Sequence, residues 1–398
     1  MSEQPAQPES AEDRFVVEVA SSIRDVKPAD WDHCLGSDHP FLRHAFLSAL
    51  EDSGSATAET GWLGQHLLLR DDGRLVGAMP MYLKNHSAGE YVFDHGWADA
   101  FMRAGGKYYP KMQASVPFTP ATGPRLLVSA DHPDPGFARH ALLSAAVQRC
   151  EQVGASSVHI TFPTKDEWTL MGEAGLLQRT GVQFHWENAG YENFDAFLAT
   201  LSSRKRKQIR RERRDALSTE GLTIKALSGD AIEEHHWDAF FTFYQDTGGR
   251  KWGSPYLSRL FFSLLGERMG EQVVLIMVER DGRPIAGALN LVGDGVIFGR
   301  NWGCIEEHRF LHFEACYYRA IDYAIEHGLA RVEAGAQGPH KLARGYLPVT
   351  TYSAHWIAHA GLRDAIGEYL ERELGEVDWE IEALSRHSPY RQTDGEGG

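Results

Sequence analysis

The sequence lacks the motifs of several common protein classes. No apolar run approaches the roughly 20 residues that a membrane-spanning helix needs, so we expect no membrane span. The start, MSEQPAQPESAED, has neither a basic region nor an apolar core and is not a secretion signal. GxGxxG and Walker-type glycine loops are missing, which argues against dinucleotide and nucleoside-triphosphate sites. A GxSxG elbow is also missing, which argues against a covalent hydrolase.

Cysteine is scarce, and histidine, although abundant, is scattered. The four cysteines show no CxxC spacing, and without a secretion signal they are typical of reduced thiols, so we expect a cytoplasmic protein. The 19 histidines include no HExxH or Cys/His ligand pattern. We therefore expect no metal site.

The charge is negative overall but unevenly distributed. The formal net charge is −15, which argues against general nucleic-acid binding. Residues 204–214, RKRKQIRRERR, hold eight basic residues and one acid, so the rest of the chain carries −22. Such a concentrated cationic patch on an acidic protein predicts a specific anionic small-molecule ligand.

Two long segments repeat one pattern of three strands, a helix and a strand. In the first copy the strands are predicted at Gly64–Arg70, Leu75–Lys84 and Tyr91–Trp97. Three landmarks match in order between the copies: the hairpin turns Asp72-Gly73 and Asp281-Gly282, Trp97 and Trp302 at the end of the third strand, and the strands Val158-His159-Ile160 and Val332-Glu333-Ala334. The pattern predicts an α/β (α+β, mixed-sheet) fold made by tandem duplication, with a mostly helical segment between the copies.

The predicted organisation has five parts. The two ends are polar and are predicted to be disordered tails. The parts are a tail at 1–13, a first unit at 14–190, a connecting segment with the basic run at 191–250, a second unit at 251–390 and a tail at 391–398.

The basic run is predicted to be helical. Arg206, Arg210 and Arg214 recur at four-residue intervals, and like charges at that spacing cost a few tenths of a kcal/mol each. A solvated face tolerates this cost, and an anion opposite the face explains it better. The members expected to bind substrate are Arg204, Lys205, Lys207, Arg210 and Arg211.

Polar and titratable residues crowd the turn after the last strand of the second copy. His340, Lys341, Arg344 and Tyr346 follow a Gly-rich break that begins at Gly335. Sites are commonly built on turns that rigid strands hold in place. An ordinary connection with solvated Lys and Arg side chains is the alternative.

These residues suggest an acyl-transfer site in the second copy. Lys341 or Arg344 could stabilise an oxyanion. His340, Glu333 or Glu314 could act as the base for an amine nucleophile. Further ligand-binding candidates are Arg300, Asn301, Trp302, Gln337 and Tyr346, with Arg250, Lys251 and Trp252 from a Gly-rich loop that is either a lid or a plain connection.

Four segments carry a resemblance to a known family. They are LSSRKRKQIRRER at 201–213, DTGGRKWG at 246–253, WGCIEE at 302–307 and EAGAQGPHKLARGY at 333–346. With the duplicated unit, they make the chain resemble the Fem-type aminoacyltransferases of the GNAT-like superfamily. More narrowly, it resembles the bacterial FemAB-like family of peptidoglycan biosynthesis or recognition, over about Pro40 to His387.

The resemblance implies transfer of an acyl or aminoacyl group to an amine by tandem GNAT-like N-acyltransferase units. It places 204–211 near the phosphates of a nucleotide-linked wall precursor and makes Lys341 the residue that stabilises the transition state. The donor would be an acyl-CoA or a charged tRNA. No Arg/Gln-x-x-Gly-x-Gly/Ala loop precedes the predicted helix 312–327, which departs from acetyl-CoA-dependent members.

The chain is therefore expected to be an N-acyltransferase whose second unit is the working half. The alternative is a non-catalytic binding module of the same fold for an anionic wall precursor or nucleotide-linked ligand. A nucleic-acid protein that uses the basic helix is disfavoured by its acidic surroundings.

Overall fold

A computed structural model describes residues 15–251, 255–335 and 338–391 of the chain. The strands are β1 (Phe15–Ala20), β2 (Leu63–Gly64), β3 (His66–Asp71), β4 (Arg74–Met79), β5 (Met81–Lys84), β6 (Lys111–Ala114), β7 (Leu127–Val128), β8 (Ser157–Thr161), β9 (Leu177–Glu187), β10 (Leu222–Leu227), β11 (Val273–Arg280), β12 (Arg283–Gly293), β13 (Val296–Cys304), β14 (Arg331–Glu333) and β15 (Leu347–Ile357).

Helices cover both faces of the sheets. They are α1 (Pro28–Leu35), α2 (His44–Asp52), α3 (His95–Arg103), α4 (Pro135–Gln152), α5 (Lys165–Glu173), α6 (Phe194–Thr200), α7 (Ser203–Leu217), α8 (Glu234–Lys251), α9 (Arg259–Met269), α10 (Leu311–Phe313), α11 (Arg319–Glu326) and α12 (Ala360–Ser385). A π-helical segment, Glu314–Tyr318, joins α10 to α11.

In the described residues the strands form one sheet of four and one of eleven. The smaller sheet has the order β1-β3-β4-β7, and the larger has the order β10-β11-β12-β13-β14-β9-β15-β8-β6-β5-β2. Parallel pairs occur at β13–β14 and β6–β8, and the other pairs are antiparallel. The mixed α/β architecture that the sequence predicts is confirmed.

The duplication is visible in the strand pairing of the two halves. Each half begins with three antiparallel strands, β1-β3-β4 and β10-β11-β12. Asp72 and Gly73 (φ 47° and 79°) turn the first hairpin, and Asp281 and Gly282 (φ 51° and 76°) turn the second. Two successive positive φ values are what a tight two-residue hairpin turn requires. Asp-Gly is a good solution because both residues tolerate this region.

The last strands of the two halves are exchanged. Strand β9, from the first half, pairs with β14 of the second, and β15, from the second half, pairs with β8 of the first. Strands β9 and β15 also pair with each other over nine positions. The exchange makes His185 on β9 equivalent to His355 on β15, and Glu333 on β14 equivalent to His159 on β8.

Three large apolar cores hold the layers together. One packs α2, α8 and α9 against β11–β13, a second packs α6, α7 and α11 on the other side of the second half, and a third packs α4 against β3, β4 and β8. Burying a large apolar side chain contributes roughly 1.5–3 kcal/mol. The cores therefore fix α7 and α11 next to the exchanged strands.

Two strand predictions in the first half are wrong. Tyr91–Trp97 is not a strand, and its end lies in α3, where Trp97 stacks on His159 with ring centroids 6.2 Å apart. Trp97 therefore does not correspond to Trp302, which lies in β13. Leu75–Lys84 is two strands in different sheets, separated at Pro80, which cannot donate to a strand ladder.

Two further differences concern the second half. Residues 222–227 of the predicted helical connection form β10, which pairs with β11. The predicted helix 312–327 is present from Leu311 to Glu326, with a π-helical turn at Glu314–Tyr318 inside it. The predicted tail at 1–13 lies outside the described residues, and so does the tail at 391–398 apart from Arg391.

Candidate active site

Two parallel strands of the second half separate after a short pairing, and we call the place where they part the crevice. Strands β13 and β14 pair only as far as Phe298 and Glu333, after which β13 continues to Cys304 and the chain after β14 turns away at Gly335. The register between β12 and β13 slips at the same place, which leaves Arg300 as an extra, bulged residue. Bulges and diverging strands are common beside binding sites because backbone groups are left available there.

Two buried titratable residues face each other at the start of this crevice. Glu333 is 4% exposed, and His185 of β9 is 7% exposed and directly opposite it. The distance from His185 Nε2 to Glu333 Oε2 is 3.7 Å, too long for a hydrogen bond. His185 Nε2 has no hydrogen-bond partner within the described part of the chain, and Glu333 Oε1 has only an ion-pair contact with Arg331 Nη2. Buried unsatisfied polar atoms are uncommon, and one beside a buried carboxyl suggests a place for a ligand.

Burial sets the proton affinities of this pair. It raises the pKa of Glu333 to about 7, although Arg331, whose Nη2 lies 3.1 Å from Glu333 Oε1, acts in the other direction. Burial, together with repulsion by Arg331 and Lys341, lowers the pKa of His185 to about 3. The imidazole is therefore neutral at pH 7, while the Glu333 carboxyl is poised to gain or lose a proton.

Lys341 and His340 lie in a single helical turn, Pro339–Arg344, which we call the 339–344 turn. Lys341 is 2% exposed and donates from Nζ to the Gly335 carbonyl oxygen at 2.9 Å. Burial lowers the pKa of Lys341 to about 8. His340 is exposed, and its Nε2 is 2.9 Å from the Tyr317 hydroxyl of the π segment. A desolvated cation beside a crevice is suited to stabilising a developing oxyanion.

Arg344 ties this turn to the basic helix. Its Nη2 donates to Glu212 at 3.0 Å, its Nη1 donates to the His340 carbonyl at 2.6 Å, and its guanidinium stacks on Phe313 at 3.5 Å. Glu212, the acid inside the basic run, is 2% exposed and also accepts from the Tyr318 hydroxyl and from Gln208. Arg344 thus joins α7 to the 339–344 turn through both Nη atoms and positions the turn, while its buried Nε has no partner in the described residues.

A second ion-pair group fixes the same helix to the π segment. Arg213 donates to Glu314 at 3.0 and 3.1 Å and to Asp322 at 2.6 and 3.1 Å. Glu314 is fully buried, so this contact, and not the helix dipole, accounts for its position. Its carboxylate is occupied by arginine, which makes it a poor candidate for the base.

The basic helix presents one continuous cationic face. The exposed residues of α7 recur at three- and four-residue intervals, which places them on one side. We call the set the cationic face: Arg204, Lys207, Arg210, Arg211 and Arg214. Arg210 pairs with Asp195 at 2.8 Å and Arg214 with Asp215 at 3.0 Å, whereas the other three have no carboxylate partner in the described ranges. The half-buried Lys205 lies off this face.

Several predicted site residues do not join the crevice. Arg300 turns to the first half, where it donates to the Phe118 carbonyl and to Thr119 Oγ1 at 3.0 Å. Asn301 lines a small cavity on that side. Tyr346 is fully buried in the core and its hydroxyl lies 3.2 Å from the Tyr317 carbonyl, so it has no atom exposed to a ligand.

Trp302 stays near the 339–344 turn, half-buried, with its ring 5.3 Å from that of His312. Arg250 and Lys251 end α8, and their side chains are outside the described part of the structure. Trp252 and Gln337 also lie outside the described residues.

The corresponding opening of the first half is closed. Strands β6 and β8 stop pairing at Ala114 and Ile160, and the following loop fills the space. Arg125, fully buried, holds this loop by donating to the carbonyls of Thr161, Ala121 and Gly123, each at 2.9 Å. The residues equivalent to Glu333 and His185 are His159 and His355, whose Nδ1 atoms are hydrogen-bonded at 2.7 Å.

His185 is the functional candidate that the sequence did not reveal. It belongs to the first half in sequence, and only the strand exchange brings it beside Glu333. A long-range pairing of this kind leaves no local sequence signal. A search of the described ranges finds no group of three or more His, Cys, Asp or Glu that could hold a metal ion. No helix in the same ranges is long and apolar enough to cross a bilayer.

Comparison with known proteins gives a family and a fold. The model of the FemAB-like family, described as peptidoglycan biosynthesis/recognition, matches residues 22–392. No curated protein matches the chain. Among solved structures, FemX is 14% identical with a TM-score of 0.55, covering 86% of this chain and 98% of FemX, which shows a shared fold.

Two more distant structures share less of the geometry. L-PGS from Bacillus licheniformis is 12% identical with a TM-score of 0.47, covering 87% of this chain and 96% of L-PGS. A tandem GNAT protein from the clavulanic acid biosynthesis pathway is 12% identical with a TM-score of 0.41, covering 87% and 99% of the two chains.

Proposed function

The chain belongs to the FemAB-like family, and from this premise we propose that it is an N-acyltransferase that transfers an acyl or aminoacyl group to an amine. The observation that carries the proposal is the open crevice of the second half, where Glu333, His185 and Lys341 meet beside the cationic α7 helix. The two halves thus build one site between them.

The proposed reaction assigns a role to each group. The amine nitrogen attacks the acyl carbonyl, a C–N bond forms, and the C–S or C–O bond to the donor breaks. The Lys341 ammonium stabilises the oxyanion. Glu333, whose pKa burial raises to about 7, accepts the proton that the amine loses, and the neutral His185 beside it orients the carboxyl. The proton finally goes to the departing thiol or hydroxyl.

The cationic face would hold the anionic part of the substrate. Arg204, Lys207 and Arg211 are free of carboxylate partners in the described structure, so they can bind phosphate without breaking an ion pair. Glu212 and Arg344 connect this helix to the 339–344 turn. A nucleotide-linked wall precursor as acceptor, with acyl-CoA or charged tRNA as donor, suits this arrangement.

Recognition without chemistry is the second candidate. Lys341 is 2% exposed, and one of its three N–H donors is bonded to the Gly335 carbonyl, so its surroundings must move before the other donors contact a substrate. A module that binds an anionic wall precursor on the cationic face alone would not need this movement.

The experiment measures ligand binding and product together. Thermal-shift assays with acetyl-CoA, charged tRNA and a UDP-linked wall precursor identify the ligand, and mass spectrometry of the mixture detects acylated amine. We expect Lys341→Ala to lower the turnover at least 100-fold, as loss of an oxyanion donor does. The exposed Lys165 supplies the control, Lys165→Ala. Binding with no product would favour the binding module.

A further inference from the structure

A cavity lies on the exchanged strands and adjoins the crevice. It measures about 150 Å³ and is lined by β9, β15, Phe162 and the loop that precedes α3. Gln183 in its floor is two residues along β9 from His185 and on the same face, about 7 Å away at 3.3 Å per residue. Thr351 in its floor is four residues along β15 from Leu347, which lies opposite His185, so the cavity extends roughly 13 Å away from the Glu333–His185 pair.

Two buried polar groups in the floor are available to a ligand. Thr351 is 6% exposed, and its hydroxyl has no hydrogen-bond partner in the described ranges. Gln183 is 2% exposed, and while its Nε2 donates to the Pro120 carbonyl at 2.8 Å, its Oε1 has no partner there. Neither oxygen belongs to the buried unpartnered atoms of the described residues, so both are accessible from the cavity and can bond water or a ligand there.

The walls are aromatic and in part exposed. Tyr91 and Phe93 line the cavity and are 37% and 57% exposed. Tyr91 and Phe162 both have left-handed backbone conformations, with φ 61° and 56°. For aromatic residues this conformation is strained, and such strain occurs preferentially at ligand-binding sites.

The cavity offers no free charge. Its only charged lining residue is Arg179, in the described part of the chain. That guanidinium donates to both Glu373 oxygens at 2.7 Å and to the Phe93 carbonyl at 2.8 Å, so its charge is paired with the Glu373 carboxylate. The part of a ligand that occupies this cavity is therefore uncharged, whereas a ligand of the cationic face is anionic.

Size and lining together specify the ligand class. A cavity of about 150 Å³ holds one six-membered ring. Apolar cavities of that size take benzene-like rings, but this floor presents a hydroxyl donor and an amide acceptor. A Cβ at Gly181 would lie 3.1 Å from Thr351 Oγ1, so the glycine keeps the floor open. We infer that this cavity binds one neutral, hydroxylated ring of the hexose type, with a ring face against the aromatic walls.

The test uses methyl β-D-glucopyranoside as the probe and the full-length protein. The methyl signals of Val182, which lines the cavity, are followed by NMR during titration. We expect saturable shifts at millimolar probe. Thr351→Val and Gln183→Leu should each weaken binding at least fivefold, and Phe93→Ala at least tenfold. Trp379→Ala removes an aromatic ring that is 71% exposed elsewhere and should have no effect.

The possible outcomes separate clearly. Saturable binding that is weakened by Thr351→Val supports the site. Because valine has the same shape as threonine, this variant still tests the site if Gln183→Leu misfolds. Absence of saturable shifts overturns it, as does unchanged binding by both floor variants. If glucose 6-phosphate or phenol binds more tightly than methyl β-D-glucopyranoside, the proposed ligand class, a neutral hydroxylated ring, is wrong. Acyl transfer is not involved, so the result is independent of the proposed reaction.

Discussion

His185 and Glu333 face each other across two strands that come from different halves of the chain, with 3.7 Å between Nε2 and Oε2. The equivalent pair in the first half, His159 and His355, is joined by a 2.7 Å hydrogen bond. The His159–His355 pair is hydrogen-bonded internally, whereas His185 Nε2 has no hydrogen-bond partner in the described residues. This asymmetry favours the second half as the place where a substrate is bound.

Glu333 should make stability depend on pH near neutrality. Its folded-state pKa, about 7, exceeds the ordinary value of 4.5 because of burial. The protonated carboxyl contributes to stability: the contribution is fully present below pH 4.5 and is lost as the pH rises through 7. As the pH rises from 5 to 8, the free energy of unfolding of Glu333→Gln should therefore increase by on the order of 2 kcal/mol relative to that of wild type, since one pKa unit corresponds to about 1.4 kcal/mol. Urea unfolding across this range measures the difference, and a constant difference would contradict it.

The buried histidine pair should give the opposite slope. Burial lowers the pKa of His159 to about 3 and that of His355 well below its ordinary value. Their contribution is present above pH 6.5 and is lost as the pH falls below it, by about 2 kcal/mol each at pH 5. The double variant His159→Gln, His355→Gln should unfold with a flatter pH dependence between 7.5 and 5. The exposed His235 provides the control, His235→Gln, which should leave the slope unchanged.

Glu212 should matter far more to stability than the partners in the exposed ion pairs of its helix. Glu212→Ala leaves Arg344 buried without a carboxylate, and breaking such a pair costs about 3–5 kcal/mol. The matched control is Asp195→Ala, which removes the exposed partner of Arg210 and should cost less than about 1 kcal/mol. Equal losses in urea unfolding would show that the buried network does not hold the 339–344 turn.

Neutralising the cationic face should weaken anion binding while stabilising the fold. Arg204→Gln, Lys207→Gln and Arg211→Gln together should lower affinity for a UDP-linked wall precursor about tenfold, and the loss should shrink at high salt. The same changes remove like-charge repulsion and should add a few tenths of a kcal/mol each to helix stability. Calorimetric titration and thermal unfolding measure the two effects. The comparison variant is Arg214→Gln, because Arg214 is already paired with Asp215. A loss of affinity that came with a loss of stability would indicate misfolding instead.

Local chemistry explains which parts of the fold the sequence predicted. The hairpin turns at Asp72-Gly73 and Asp281-Gly282 need positive φ values that few residues tolerate, so the residue types identify them. The repeated pattern predicts a strand at Tyr91–Trp97, but Tyr91, Val92 and Phe93 line a cavity and the helix α3 begins at His95. A short apolar run is ambiguous where a segment covers a sheet instead of joining it.

The site was only partly predictable for a similar reason. Lys341, His340 and Glu333 follow one strand, so their neighbourhood could be inferred from the chain order. The inward turn of Glu212 could not, because a single acid among eight basic residues looks like part of a solvated face. Arg300 was misplaced because a one-residue bulge re-aims it toward the first half, and nothing in the local sequence signals that bulge.

The exchanged strands make the chain behave like an obligate dimer whose subunits are covalently joined. A fragment ending near residue 190 would carry β9 but lack β15, the strand that covers β8. An unpaired edge of that kind is prone to aggregate. Each half therefore depends on the other for the strand that completes its sheet, and neither is an autonomous module.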